Sequence, residues 1–260
     1  MITWEGIMGE ISVRYVGGPT AVVDICGVRL VTDPTFDAPG DYPVGPGRKL
    51  VKTAGPAIEA AETGHVDAVL LSHDQHPDNL DESGREYLER VPLVLSTAAA
   101  HSRLGDMVTV LPNWQTYELG ERLRITGVPA LHGPDGAEEF TGEVTGFVLH
   151  GDAVPTVYVS GDNASLDHVR AVAERFGPVD VAVLFAGAAR TPLLDGAPLT
   201  LTSEAAAEAA QILGARHVVP LHFEHWGHFS EGADSLTEAF AAAGLGDRLR
   251  LLKPGALFSA

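Results

Sequence analysis

The feature of this 260-residue chain that most restricts its fold is a repeated one: short apolar runs that end abruptly in a histidine or an aspartate. Ala68-Val69-Leu70-Leu71 runs into Ser72-His73-Asp74-Gln75-His76-Pro77-Asp78-Asn79-Leu80-Asp81, which puts two histidines and three carboxylates into one tight loop. Val128-Pro129-Ala130-Leu131 leads to His132-Gly133, Val157-Tyr158-Val159 to Ser160-Gly161-Asp162-Asn163, and Val218-Val219-Pro220-Leu221 to His222-Phe223. Short apolar runs bounded by turn residues read as buried strands. Neutral imidazole and carboxylate oxygen suit zinc, manganese or iron, and clustering them at strand ends fixes their geometry while leaving the cluster open to a substrate. The competing reading of the first loop is a solvated turn that caps a helix at Asp78 or Asn79.

Strand-end loops carrying His, His, Asp and His in that order resemble the metallo-β-lactamase fold superfamily, and within it the metal-dependent hydrolases similar to ascorbate-phosphate lactonases. The resemblance spans nearly the whole chain. It implies an α/β fold of the α+β kind, a four-layer αββα sandwich, in one hydrolase domain over residues 1–260. It also implies that the first metal motif, H-x-H-x-D-H, falls on the loop from His73, the isolated third-motif histidine on His132, the bridging aspartate on Asp162 and the last histidine on His222. Val22 to Phe36, two strands around a turn at Cys26-Gly27 running into Thr32-Asp33-Pro34, looks like the start of these enzymes. Asp33 there is either a loop-ordering residue or a contact to a metal-bound histidine.

One departure stands out. The motif reads H-D-Q-H-P-D-N, so Gln75 occupies the second histidine's place, the spacing from His73 to Asp78 is one residue longer, and Asn79 replaces the final histidine. His73, His76 and Asp78 are therefore taken as ligands, with Asp74 or Gln75 as substitutes if the loop bulges differently. The cofactor is a divalent metal, one ion or two: zinc first, with manganese, magnesium or iron fitting a carboxylate-rich second site.

A net charge of -18 with only 17 basic residues speaks against a nucleic-acid ligand and against an anionic membrane surface. The absence of a legible basic cleft also argues against polyanionic substrates. The partner is then a small-molecule substrate, and a homo-oligomer stays open. The single cysteine, Cys26, reads as a buried structural thiol and fits the cytoplasm. Met1 to Glu10 lacks a basic start and a long apolar core, which predicts no signal peptide, and no later apolar run approaches the ~18 residues of a membrane span.

Strands are expected at Ile11 to Val16, Ala21 to Ile25, Arg29 to Thr32, Ala68 to Leu71, Leu93 to Leu95, Val108 to Leu111, Leu123 to Val128, Gly146 to Leu149, Thr156 to Val159 and Val179 to Phe185. Gly17-Gly18-Pro19 is read as a turn. Helices are expected from near Asp78 through Leu88, over Ser165 to Phe176, over Ser203 to Leu213 behind a Thr202 or Ser203 cap, and over Asp234 to Ala243. Arg248 to Leu252 and Gly255 to Phe258 read as strand or extended tail. Asp37 to Pro56, rich in Pro and Gly, reads as a mobile loop over the site or a poorly ordered excursion.

A metal held by His73, His76, His132 and carboxylates lowers the pKa of a bound water from ~15.7 toward ~7 and polarises a carbonyl or phosphoryl oxygen. The expected function is a hydrolase of a small lactone, ester, amide or phosphodiester. Asp78 ligates and orients the hydroxide, Asp162 bridges two metals, and His222 completes the second site. In Leu221-His222-Phe223-Glu224-His225-Trp226-Gly227-His228-Phe229, His225 or His228 is expected to line the cleft, with His225 the residue assigned to the leaving group. Trp226 is an apolar wall or simple packing. His65, His101, His150, His168 and His217 read as surface or packing histidines. The alternatives are a small-molecule phosphodiesterase and a non-catalytic metal-binding or sensor protein with a degenerate site.

Overall fold

The computed structural model describes residues 10–260, so the reading of Met1 to Glu10 as free of a signal peptide falls, Glu10 apart, outside the described residues. In chain order the strands are β1 (Ile11–Gly17), β2 (Thr20–Ile25), β3 (Val28–Thr32), β4 (Gly40–Gly45), β5 (Arg48–Lys52), β6 (Ala68–Leu70), β7 (Val94–Ser96), β8 (Thr109–Val110), β9 (Thr116–Leu119), β10 (Leu123–Pro129), β11 (Thr145–Gly151), β12 (Val154–Val159), β13 (Val181–Phe185), β14 (His217–Leu221) and β15 (Leu257–Ser259). The helices are α1 (Glu82–Leu88), α2 (Ala98–Leu104), α3 (Glu138–Thr141), α4 (Leu166–Phe176), α5 (Ser203–Ile212) and α6 (Ala233–Ala242).

One sheet has the order β15-β1-β2-β3-β6-β7-β8 and the other β14-β13-β12-β11-β10-β9. Alternation along each strand explains why they stack. In β13, Val181, Val183 and Phe185 join Val13, Tyr15, Leu30 and Leu70 in the core between the sheets, while Ala182 and Leu184 turn to Val169, Val172, Ala206 and Phe240 of α4, α5 and α6. On the far face of the first sheet, Val31 and Val69 pack with Tyr87 and Leu88 of α1 and Ala100 of α2. Helices, sheet, sheet and helices form the expected four-layer αββα sandwich. Among the described residues no helix is long and apolar enough to cross a membrane.

Several local expectations need correction. Asp37 to Pro56 contains a hairpin, β4 paired with β5. Tyr42, Val44 and Leu50 are half-buried on alternating positions, and the Tyr42 ring packs edge-on against Trp226 at 5.4 Å. The helix expected from Asp78 starts at Glu82, because Asp81 is the cap and accepts a hydrogen bond from the Gly84 amide at 2.8 Å. Arg248 to Leu252 forms only the isolated bridge of Leu249 to Val218; the terminal strand is Leu257–Ser259 against β1. Cys26 is half-buried rather than buried, because it sits with Gly27 in the β2–β3 turn at φ values of 51° and 83°, the pairing that a tight two-residue hairpin demands.

Candidate metal centre

β12, β13 and β14 run parallel, and β10 points the same way because it is two antiparallel steps from β12. Their C-terminal ends therefore lie along one edge of the second sheet. β3 and β6 are parallel in the first sheet and deliver Asp33 and His73. The Thr145 amide donates to the Ser72 carbonyl at 3.1 Å and the His222 amide to the Gly18 carbonyl at 2.7 Å, so the two edges are stitched together. Gly161 makes the closest approach possible: at φ 56°, a Cβ there would lie 2.6 Å from the Thr145 carbonyl oxygen and 2.8 Å from the Ser72 Cβ. The loop bearing Asp162 can approach His73 only because that atom is missing.

His73, His76 and His132 converge, with one ring nitrogen of each within 4.8 Å of the others. Two of the three are oriented from behind. The Asp33 carboxylate accepts from the Ser72 amide at 2.6 Å and the Ser72 hydroxyl at 2.7 Å, and that hydroxyl lies 3.0 Å from His73 Nδ1. With the hydroxyl proton directed to Asp33, Ser72 accepts from Nδ1 and leaves the Nε2 lone pair facing inward. His132 Nδ1 likewise donates to the Leu199 carbonyl at 2.9 Å. His73 Nε2 and His76 Nδ1 are 2.9 Å apart. Burial pushes His73 well below the usual imidazole value, and burial with neighbouring His132 pushes His76 down to about 4, so these rings are neutral donors at physiological pH. Burial raises Asp33 to about 7, against its two bonds from Ser72.

A second group adjoins the first through Asp162. Asp162 Oδ2 lies 3.4 Å from His132 Nε2, and Asp162 Oδ1 lies 3.4 Å from His222 Nε2. His222 Nε2 is also 3.4 Å from Asp78 Oδ2, and that oxygen is 3.0 Å from His228 Nε2. Burial by itself would raise Asp78, but the imidazoles of His222 and His228, 3.4 and 3.0 Å from its Oδ2, outweigh it and hold the carboxyl well below its usual range. Burial likewise opposes the charged form of His222, yet Asp162 and then Asp78 overcome it and raise the imidazole to about 10. His222 occupies the left-handed region at φ 56°, a strain that positions its ring at the junction.

The donors fit a metal. Both oxygens of Asp162, Oδ1 of Asp78 and Nε2 of His222 are buried with no hydrogen-bond partner, a costly condition that a cation relieves. Two donors on one tetrahedral zinc, at about 2.1 Å each, lie about 3.4 Å apart, the spacing that recurs around Asp162. The set is imidazole and carboxylate without thiolate, which suits zinc, iron or manganese.

The remaining expected residues sort cleanly. Asp74 points away and pairs with Arg103, and Gln75 packs against Gly142, so neither substitute joins the cluster. Asp81 caps α1, accepts from the Phe36 and Asp37 amides and pairs with buried Lys52 at 2.9 Å. His225 is half-buried against Gly17 and Tyr15, and the structure does not bring it into the donor groups. His228 is the histidine of that segment that reaches them. Of the two histidines expected to line the cleft, it is the one that does so. His101 meets the Val108 carbonyl, His150 meets Thr126, and His217 meets Arg250, all outside the centre.

Over the donors lies a cleft of about 520 Å³, with His76, Asp78, His132 and His228 on its floor. Val44, Leu50, Phe140, Leu193 and Leu199 supply apolar walls, and Arg48, Lys49 and Arg190 line the rim. The sequence showed no basic cleft because these residues come from the β4–β5 hairpin and from the segment after β13, which only the fold brings together.

The family model described as a beta-lactamase superfamily domain matches residues 28–223. A UPF0173 metal-dependent hydrolase from Methanosphaerula palustris is 33% identical over 66% of this chain and 75% of its own length. Another from Pyrococcus horikoshii is 28% identical over 73% and 80%. The fold is shared with an isothiocyanate hydrolase from Delia radicum gut bacteria, at TM-score 0.81 and 20% identity over 96% of this chain and all of that one. It is also shared with Igni18, a metallo hydrolase from Ignicoccus hospitalis, at TM-score 0.71 and 20% identity over 96% and 98%. The chain belongs to the beta-lactamase superfamily and is a metal-dependent hydrolase of that family.

Proposed function

We propose that this hydrolase holds two divalent ions and cleaves a small molecule that carries an anionic group near the scissile bond. The observation that supports this best is the junction at Asp162, whose two oxygens face donors of two different groups below an open cleft. His73, His76, His132 and Asp162 would hold one ion; Asp162, Asp78 and His222 would hold the other. Such ions supply Lewis acidity at the scissile group and a water acidified from ~15.7 toward ~7, with zinc the first ion to test and manganese or iron next.

The protein's own residues set the rest. Asp33 and Ser72 fix the His73 ring, and Leu199 fixes His132. Arg48 and Arg190 attract a carboxylate or phosphate while Lys49 pairs with Asp41, and Phe140 and Leu193, which are 59% and 50% exposed, offer contact to an apolar body. That rim favours acidic lactones, esters or amides. It also gives the small-molecule phosphodiesterase reading a specific support, since a phosphodiester brings its own charge. A single domain over residues 1–260 and a cytoplasmic location belong to the same reading.

The test is turnover of a panel of paired anionic and neutral lactones, esters and phosphodiesters by metal-reconstituted protein, with Arg48→Glu and Arg190→Glu alongside. The expected outcome is preference for anionic members and a raised KM for those members alone in the variants. Equal KM changes for both classes, or none, would contradict the anionic assignment.

A further inference from the structure

The superfamily motif implies a histidine directly after its aspartate, where this chain has Asn79. Asn79 is fully buried with its amide nitrogen turned toward Asp33 at 3.4 Å. The donor set around Asp78 thus lacks one imidazole from its own loop. Another histidine stands beside it. His228, seven positions beyond the end of β14, places Nε2 3.0 Å from Asp78 Oδ2.

We infer that His228 replaces the missing motif histidine and is a protein ligand of the second ion, together with Asp78, Asp162 and His222. The inference rests on the two-ion reading above. Three observations carry it. His228 is the residue that meets the Asp78 oxygen shared with His222, so its ring nitrogen faces the same point as the other donors. Its Nδ1 makes no hydrogen bond, so the contact of Nε2 with Asp78 is the polar contact that orients the ring. Its backbone is clamped on both sides: Trp226 bridges to Lys52, Gly227 donates to the Val51 carbonyl at 2.9 Å, and Phe229 bridges to Ala189. A ligand drawn from a distant segment needs such anchoring, because a loose loop would surrender its ordering entropy on binding.

The clamp also joins the second ion to the β4–β5 hairpin, which carries Arg48 and Lys49 of the rim. In the usual arrangement the first loop alone would supply both aspartate and histidine. Here the ion would tie that loop, the segment after β14 and, through Val51, the hairpin into one unit.

The experiment measures zinc retained per chain by elemental analysis after metal stripping, reloading and gel filtration, for wild type, His228→Ala, His228→Gln and His225→Ala. Melting temperature of the stripped proteins checks folding. Two equivalents in wild type and His225→Ala, with one in both His228 variants, is the expected result. A cobalt-loaded sample should show the same split, with the visible absorption of one of two ions lost. Two equivalents in every protein would overturn the assignment of His228 and leave the two-ion reading standing; lowered turnover with both ions kept would instead make His228 a substrate contact. One equivalent in wild type would overturn both.

Discussion

The two donor groups meet at Asp162 but are built differently. In the group of His73, His76 and His132, two rings are locked from outside by Ser72 and the Leu199 carbonyl. In the group of Asp78, His222 and His228, the nitrogens of His222 and Nδ1 of His228 have no hydrogen-bond partner, and the two rings face the Asp78 carboxylate at 3.4 and 3.0 Å. The first group is preorganised by hydrogen bonds that persist without metal. The second is an electrostatic arrangement in which an imidazolium, His222, stands between two carboxylates where a cation would otherwise sit. Preorganisation predicts the tighter site at the first group and an exchangeable ion at the second.

Breaking the shared residue should have the largest effect. Asp162→Ala is expected to abolish measurable turnover and to release at least one ion, checked by kinetics and metal content on the same sample. Next comes the anchor below the second group. Lys52→Ala leaves Asp81 buried without its charge partner, a loss worth about 3–5 kcal/mol of stability in urea unfolding. The remaining bonds to Asp81 place the result toward the lower end.

Loosening the first group without removing a ligand should cost less. Ser72→Ala cuts the link from Asp33 to His73 and is expected to lower metal affinity or activity by about 10–100-fold, with near-native unfolding; competition with a chromophoric chelator reads it. An unchanged affinity would mean that ring orientation is set by packing instead. The smallest effect concerns the metal-free protein. His222 is raised from ~6.5 in an unfolded chain to about 10, so its contribution to stability is full below the unfolded value and is lost as pH rises through about 10. The stability difference between stripped wild type and stripped His222→Gln should therefore narrow across that window in denaturant titrations.

Much of this was legible in the sequence because apolar runs and their terminal residues are local signals. β6, β10 and β12 end three positions before His73, His132 and Asp162, β14 ends directly before His222, and the alternation of β13 already separates the two faces. The hairpin was not legible. Its strands only half-bury the apolar Tyr42, Val44 and Leu50, the fully buried position is the charged Lys52, and Pro43, Gly45 and Gly47 break the pattern. β9 and α2 were too short to stand out, at four and seven residues. That His225 or His228 lines the cleft was legible, but the approach of His228 to Asp78 was out of reach for a different reason. Between His225 and His228, the ring that reaches Asp78 is chosen by the bridges of Trp226 to Lys52 and of Phe229 to Ala189, which are distant in the chain. The same holds for Arg48, Lys49 and Arg190, whose charges a composition of -18 conceals.

Whether Asp162 joins two ions is read by a calorimetric zinc titration of stripped wild type beside Asp162→Ala. A shared Asp162 predicts two equivalents in wild type, the first tighter than the second, and loss of at least one in the variant. A single equivalent in wild type, or identical titrations for the two proteins, would contradict it.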